Sequence, residues 1–499
     1  MNQKLLISGV VEEGNKRYFL VDFDEKSAKK FSDVIIKSRE YRDNGSKRHM
    51  VLIPVELNKY EVFKEQVTGC IKKLKRDRFS KLSKVNYPLN GKLIAMNMRK
   101  SVEKNFLKNK EFHDFISKNV KSNRNVITYA TEQEIKRKIL SKKPVLFKKL
   151  RSMKQKLYGN DHQWEKFLEK HDVSIAAIMP TYNEINFESN IQQVHKVKEK
   201  GLLNELIITD GYSSEYEPND VKHDLERKGV KVDFSLIKQN GAGKGEAIEA
   251  AVKYALLEGH DFVICVDSDV LPTIRRVYPD APLNMNIEFF IRNFIYSIIK
   301  VLKDKGKSRT KKVFFKASYL RMPQLKRSLD LRYGLASYIV KDFLRNFLHS
   351  NKNLYPLSGE YAFNPGYFLE NLNINRKLLS LMNISKNQYC GVNIPSGFCL
   401  ENFWNGIIDI KNLQVYYVNM YLHHHGPVVK SSKRSIEDQR GEVMTGVYAG
   451  VSAALIKNKT MRDLFKKVPS EIIRSDRPLL EINYSINNKK LIVNRFKIC

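Results

Sequence analysis

Phe262-Val263-Ile264-Cys265-Val266-Asp267-Ser268-Asp269 runs from uninterrupted apolar side chains straight into two carboxylates. A short apolar run bounded by polar residues reads as a strand buried on both faces. Asp267 and Asp269 then stand where that strand leaves the sheet. In an open α/β sheet this edge binds ligands, and two hard oxygen donors suit a divalent cation holding a phosphate. The same spacing also caps helices and satisfies turns, so taken alone it leaves both readings open.

Working outward, the pattern of buried strand and polar loop repeats. Val173–Met179 is a second buried strand and runs into Pro180-Thr181-Tyr182-Asn183-Glu184. Leu206–Thr209 is another, ending in Asp210-Gly211-Tyr212-Ser213-Ser214, and Lys231–Ile237 alternates as a further strand. Helical stretches separate them, which predicts βαβ units in a mostly parallel sheet whose carboxyl ends share one rim. The loops therefore converge on one crevice.

Between the last two strands lies Gly241-Ala242-Gly243-Lys244-Gly245-Glu246, then apolar residues at helical spacing up to Gly259, a helix C-terminal signal. Lys244 at a helix start can meet a phosphate together with free N–H groups. Walker A spacing is absent: the glycines before the lysine are misplaced, and Gly245-Glu246 stands where Ser or Thr would ligate magnesium. A surface lysine in an ordinary Gly-rich loop is the plainer alternative.

Composition excludes several classes. Five scattered cysteines without a C-x-x-C pair suggest neither a disulfide framework nor a structural zinc site and fit a reducing cytoplasm. No signal peptide is read at Met1-Asn2-Gln3-Lys4, and the apolar window Ile287–Leu302 is interrupted by Arg292, Asn293 and Lys300. It predicts an amphipathic helix on the sheet and no transmembrane segment. Of the formal charge of +34, much lies early: residues 1–170 hold 41 Lys and Arg against 20 Asp and Glu. Such an excess attracts polyanions, nucleic acid included, or reflects a lysine-rich composition that binds nothing in particular.

Residues 1–165 are expected to form a basic α+β domain, with strands at Lys4–Val11, Arg17–Phe23, His49–Leu57, Lys92–Met98 and Asn125–Tyr129 and helices at Tyr60–Lys75 and Glu132–Lys142. The basic stretch 142–161 is the candidate boundary region. Residues 166–465 are the expected α/β domain and 466–499 a C-terminal extension.

In order, Pro180–Glu184, Asp210–Ser214, Gly243-Lys-Gly-Glu-Ala247 and Asp267-Ser-Asp269 resemble the nucleotide-sugar half of a GT-A-fold glycosyltransferase, a Rossmann-like, mostly parallel α/β sheet. Val313–Tyr319, Tyr355-Pro-Leu-Ser-Gly-Glu-Tyr-Ala362, Gly397-Phe-Cys-Leu-Glu401 and the histidines before Gly426-Pro427 narrow the resemblance to glucosyl-3-phosphoglycerate synthase and its retaining relatives, across about residues 172–450. The resemblance implies a metal-dependent hexosyltransferase using a UDP- or GDP-sugar with Mg²⁺ or Mn²⁺ and retaining the donor configuration. Pro180, Thr181, Tyr182 and Glu184 would contact the nucleoside, with Asp210, Ser213, Asp267 and Ser268 beside the donor. Lys244 would neutralise diphosphate charge. Asp269, with His423 or alternatively His425, would hold the metal, and Asp267 would lie close by. Glu360 would face the sugar, by holding its hydroxyls or stabilising oxocarbenium-like charge. Tyr319, Arg332 and Glu401 would serve the acceptor.

The acceptor loop departs from the pattern. The relatives carry a Gly-Gly-Arg-Val-Thr-type phosphate loop where this chain reads Asp330-Leu-Arg-Tyr-Gly334, which counts against phosphoglycerate. A larger anion then comes forward, such as hydroxymethylated DNA or an envelope polymer. A sugar-nucleotidyltransferase and a nucleic-acid-binding protein with an inactive core are the rival readings; the first would want a Gly-rich Arg/Lys signature where this chain has Thr181–Glu184. Donor sugar and oligomeric state stay open, a dimer included.

Overall fold

The computed structural model describes residues 7–43, 45–82, 86–89, 92–95, 143–239, 244–270, 279–284, 286–321, 359–370, 414–423, 480–487 and 490–498. The chain opens with β1 (Ile7–Glu13), β2 (Lys16–Asp24), α1 (Glu25–Lys30), β3 (Lys37–Asp43), β4 (Ser46–Val55) and α2 (Leu57–Leu82). A hairpin of β5 (Asn86–Leu89) and β6 (Lys92–Ala95) follows. Helices α3 (Lys143–Tyr158) and α4 (Asp161–Lys170) lead into β7 (Ile175–Thr181), α5 (Phe187–Glu199), β8 (Glu205–Asp210), α6 (Pro218–Arg227), β9 (Ser235–Gln239), α7 (Lys244–Glu258) and β10 (Phe262–Cys265). Then come α8 (Ile287–Thr310), β11 (Val313–Arg321), β12 (Tyr361–Phe363), β13 (Gln414–His423) and the hairpin β14 (Leu480–Asn487) with β15 (Lys490–Ile498).

One 11-stranded sheet organises the chain, in the order β13-β11-β12-β10-β7-β8-β9-β1-β2-β4-β3. Strands β10, β7, β8 and β9 are mutually parallel, as expected from their continuous apolar runs. Their carboxyl ends lie on one rim. Parallel pairing is less widespread than the sequence suggests, because β12 inserts antiparallel between β10 and β11, and β1, β2, β4 and β3 join antiparallel at the other side. The sheet is mixed around a parallel centre, an α/β fold of GT-A type.

The first four strands do not form a sheet of their own. β1 pairs with β9 in the register Gly9↔Gln239 to Glu12↔Leu236, so the sheet crosses the compositional boundary expected near residue 165. Close approach is needed at Gly9, where an added Cβ would meet Ile237 at 3.0 Å and the Lys238 carbonyl at 3.2 Å. β3 was not read from the sequence because Lys-Ser-Arg-Glu-Tyr-Arg-Asp carries no alternation. It is the edge strand, with only Tyr41 buried, so neither face needs to be apolar. The strand and helix expected at 125–129 and 132–142 lie outside the described residues.

Helix α7 explains why the early strands are placed there. Its residues from Gly245 to Leu257 are buried on every side, Glu246, Glu249 and Lys253 among them. A helix without a solvated face must be covered all round. β7, β8 and β9 cover one side, and β1 to β4 reach over the rest. Lys253 pairs with Glu249 at 2.9 Å and donates to Ser8 Oγ at 2.8 Å, while Lys37 on β3 pairs with Glu258 at the helix end. The helix stops at Gly259, whose φ of +94° is the left-handed conformation a glycine C-terminus supplies.

On the opposite face α8 presents Phe289, Phe290, Phe294, Ile295 and Ile298 to the core, each side chain contributing about 1.5–3 kcal/mol by burial. The stretch expected as a boundary region contains α3, Lys143–Tyr158, and the start of α4. Phe147, Leu150 and Leu157 recur at helical spacing and join that core. Arg292 locks the arrangement: it pairs with Asp161 and Glu288, donates to the Leu157 carbonyl at 3.1 Å and stacks over Tyr158. Among the described residues no helix is long and apolar enough to cross a membrane.

Candidate functional site

Two loops leave the rim after β7 and β8 and are stitched together. Asn183, at φ +49°, gives its backbone N–H to Ser213 Oγ at 2.8 Å. Its side-chain oxygen accepts from the N–H groups of Ser214 at 2.7 Å and Glu215 at 2.9 Å. Asp210 has no solvent exposure and accepts from Ser213 Oγ at 2.5 Å, and Lys238 binds it at 2.7 Å. Asp210 and Ser213 thus hold the loop from inside. Lys238 belongs to that scaffold although no short motif contains it: it sits 28 positions beyond Asp210, on β9, and its charge is kept on by Asp210 and Glu217 despite burial. The stitched frame leaves Tyr182 and Ile185 exposed at 49% and 53% on the rim.

The strand end after β10 is held in another way. Val266 donates its N–H to the Ile178 carbonyl at 3.0 Å, continuing the ladder to β7. Buried Asn190 on α5 reaches across to donate to the carbonyls of Ser268 at 2.6 Å and Val270 at 3.2 Å. One amide therefore grips the carbonyls of the residues on either side of Asp269. Asn190 was not read as functional, since a lone Asn in a helix has no signal of its own. Asn190→Ala is expected to cost about 1–3 kcal/mol of stability and to lower turnover, read by thermal melting and steady-state kinetics, because the two carbonyls lose a buried donor.

Lys244, Asp267 and Glu360 come together as expected of neighbouring loops. Lys244 at the start of α7 forms an ion pair with Asp267 and donates to the Gly359 carbonyl at 3.3 Å. Both partners of the pair are largely buried, at 11% and 17% exposure. Glu360 follows Gly359 directly and is fully buried. Its backbone is fixed by the Ala317 N–H, at 3.0 Å, and by the antiparallel β12, whose Tyr361 stands opposite Cys265. Burial raises the Cys265 thiol far above its ordinary value, so it is an inert packing group in the same strand.

Glu184 faces Asp269 across the crevice. Burial first, and the Asp269 charge second, push the Glu184 carboxyl up to about 7, with the Asn186 hydrogen bonds opposing. Two carboxylates held against each other are an arrangement that a divalent cation relieves, although the described residues contain no group of three or more His, Cys, Asp or Glu side chains placed to hold a metal ion. Pro180 and Thr181 end β7 and Ser268 lies buried between the two aspartates. Tyr319 and His423 lie on neighbouring strands, where Arg321 stands in register with His423. Arg332, Glu401 and His425 lie outside the described residues, as do Gly241–Gly243.

Residues 176–280 match the family model for glycosyl transferase family 2. The matched stretch spans β7 to β10 and all the loops just described up to Asp269, so the chain carries a glycosyltransferase domain of this type. No curated protein sequence matches. Among solved structures, glucosyl-3-phosphoglycerate synthase from Mycobacterium tuberculosis with Mn²⁺, UDP and glucosyl-3-phosphoglycerate is 17% identical, with 59% of this chain and 84% of that chain covered and a TM-score of 0.36. The same enzyme with Mn²⁺, UDP-glucose and phosphoglyceric acid is 18% identical over 58% of this chain and 82% of that chain, with a TM-score of 0.37.

Proposed function

We propose that this glycosyltransferase moves a hexose from a UDP- or GDP-sugar to a hydroxyl of an anionic acceptor, uses Mg²⁺ or Mn²⁺, and retains the donor configuration. The carrying observation is the double contact of Lys244 with Asp267 and with the carbonyl beside Glu360. It ties the donor-side carboxylate to the backbone beside the sugar-side Glu360 through one fixed cation. Asp269, together with His423 or His425, would hold the metal, and the metal supplies Lewis-acid stabilisation to the leaving diphosphate. Lys244 adds a second positive charge where that leaving group gains charge, which preorganised cations stabilise at no cost of reorganisation. Glu360, fully enclosed, faces the oxocarbenium-like charge without having to become covalently attached.

The acceptor proposed is a polyanion, hydroxymethylated DNA or an envelope polymer, with Arg332, Tyr319 and Glu401 on its side. Residues 1–170, with 41 basic against 20 acidic side chains, supply the attractive field for it. The decisive test is a screen of UDP- and GDP-sugars with Mn²⁺ or Mg²⁺, followed by mass spectrometry of phosphoglycerate, hydroxymethylated DNA and teichoic-type polymers in one panel. Metal-dependent release of nucleoside diphosphate with a hexose mass added to a polymer is expected, and NMR of the product assigns the anomer. Absence of turnover with every donor and metal, alongside tight DNA binding, would instead favour a binding protein with an inactive core.

A further inference from the structure

The amino-terminal strands reach the donor loop through one buried acid. Glu12 is the last but one residue of β1, and its side chain is only 6% exposed. Its Oε1 accepts the Tyr60 hydroxyl from α2 at 2.6 Å and pairs with Arg17 at 3.2 Å, while Arg17 lies over the Tyr60 ring. The other oxygen accepts from Asn219 Nδ2 at 3.4 Å, in the first turn of α6. Glu217 caps that helix through the Asn219 N–H at 2.7 Å and also forms an ion pair with Lys238. Lys238 stands opposite Val10 of β1 and holds Asp210, which holds Ser213, which takes the Asn183 N–H. Tyr212, in the loop itself at φ +62°, packs into the cluster formed by β1, β2, β4 and α2.

We propose that the segment 7–67 is a built-in part of the donor site, with Glu12 as a positioning residue that holds the loop 210–217 in its nucleotide-binding shape. This rests on the donor-site reading above and goes beyond it: no motif of the transferase core contains Glu12, Arg17 or Tyr60. Glu12 acts through Asn219 and the Tyr212 packing surface and touches no reacting atom. A neutral amide there keeps one acceptor oxygen, so it cannot hold Tyr60 and Asn219 as the two carboxylate oxygens do, and it loses the charge pair with Arg17. The loop is the element with most to lose, since Tyr212 within it, and Asn183 bonded to its Ser213, both hold left-handed backbone conformations that only surrounding contacts maintain.

Glu12→Gln in the full chain tests this, with Tyr60→Phe as a second variant and Tyr41→Phe as control. Tyr41 donates to Asp22 at 2.8 Å in the same strands but away from the loop. Two readouts are needed: the affinity for UDP and GDP with Mn²⁺ by calorimetry, with KM and kcat where turnover is found, and amide hydrogen exchange across 210–219. Expected are a nucleotide affinity weakened about tenfold, a KM raised by the same factor with kcat changed less than twofold, and faster exchange confined to 210–219 for both Glu12→Gln and Tyr60→Phe. Tyr41→Phe should move neither. Unchanged exchange at 210–219 in Glu12→Gln, or the same changes in Tyr41→Phe, would overturn the proposal. A wild-type chain that binds neither nucleotide would sink the donor-site reading instead, while the exchange data would still decide whether Glu12 holds the loop.

Discussion

Asp269→Asn is expected to lower donor turnover at least about a thousandfold while leaving the thermal midpoint within about 2 °C of the parent. The two halves follow from different facts about one carboxylate. Asn keeps the size and hydrogen-bonding outline of Asp, and the Asn190 grip on the carbonyls of Ser268 and Val270 involves backbone only, so the loop keeps its anchor. What disappears is the negative charge that faces Glu184. That charge helps push the Glu184 carboxyl up to about 7, so its removal lets Glu184 ionise at lower pH and offsets any lost contact. On the proposed reading the same charge would be the principal anionic ligand of the metal, and Asn would leave the site without the cation that would neutralise a departing diphosphate. Nucleotide release by a coupled assay, with melting followed in parallel, separates the outcomes. A large fall in midpoint would assign Asp269 a scaffold role, and full activity would remove it from the metal site.

The strands and loops of this crevice were legible because each carries its own local signal. Phe262–Cys265 is apolar throughout and breaks off at Asp267, and Gly259 marks the end of α7. Residues whose part depends on a distant partner were not legible. Asn190 works through carbonyls 78 and 80 positions away, and Lys238 through an aspartate 28 positions back. Asp210 and Ser213 stood out as a motif, yet nothing local indicates that their side chains turn inward to each other. The largest misreading concerned the basic first third. Composition separates it from the core, whereas main-chain hydrogen bonds from β1 to β9 and the all-round burial of α7 draw it in, and charge counts are blind to both. β3 shows the limit most plainly: an edge strand covered on one side needs almost no apolar residues, so periodicity is silent there.

Lys244→Met is expected to reduce kcat by two to three powers of ten, and the accompanying loss of stability distinguishes its two duties. Opposite unit charges about 4 Å apart are worth on the order of 4 kcal/mol at an effective dielectric of 20, the scale of that rate loss if the lysine meets the departing diphosphate. In the structure the ammonium also sits against Asp267 and the Gly359 carbonyl, with both members of the pair largely buried. Deleting it alone strands Asp267 with a desolvated charge, at about 3 kcal/mol. The double variant Lys244→Met with Asp267→Asn takes out both charges and should recover most of that stability, because a neutral pair of similar shape has nothing left unpaired. Activity should not recover with it. If the ion pair were only a brace between α7 and the end of β10, the double variant would regain turnover together with its melting temperature; if Lys244 neutralises the leaving group, stability returns and kcat stays low.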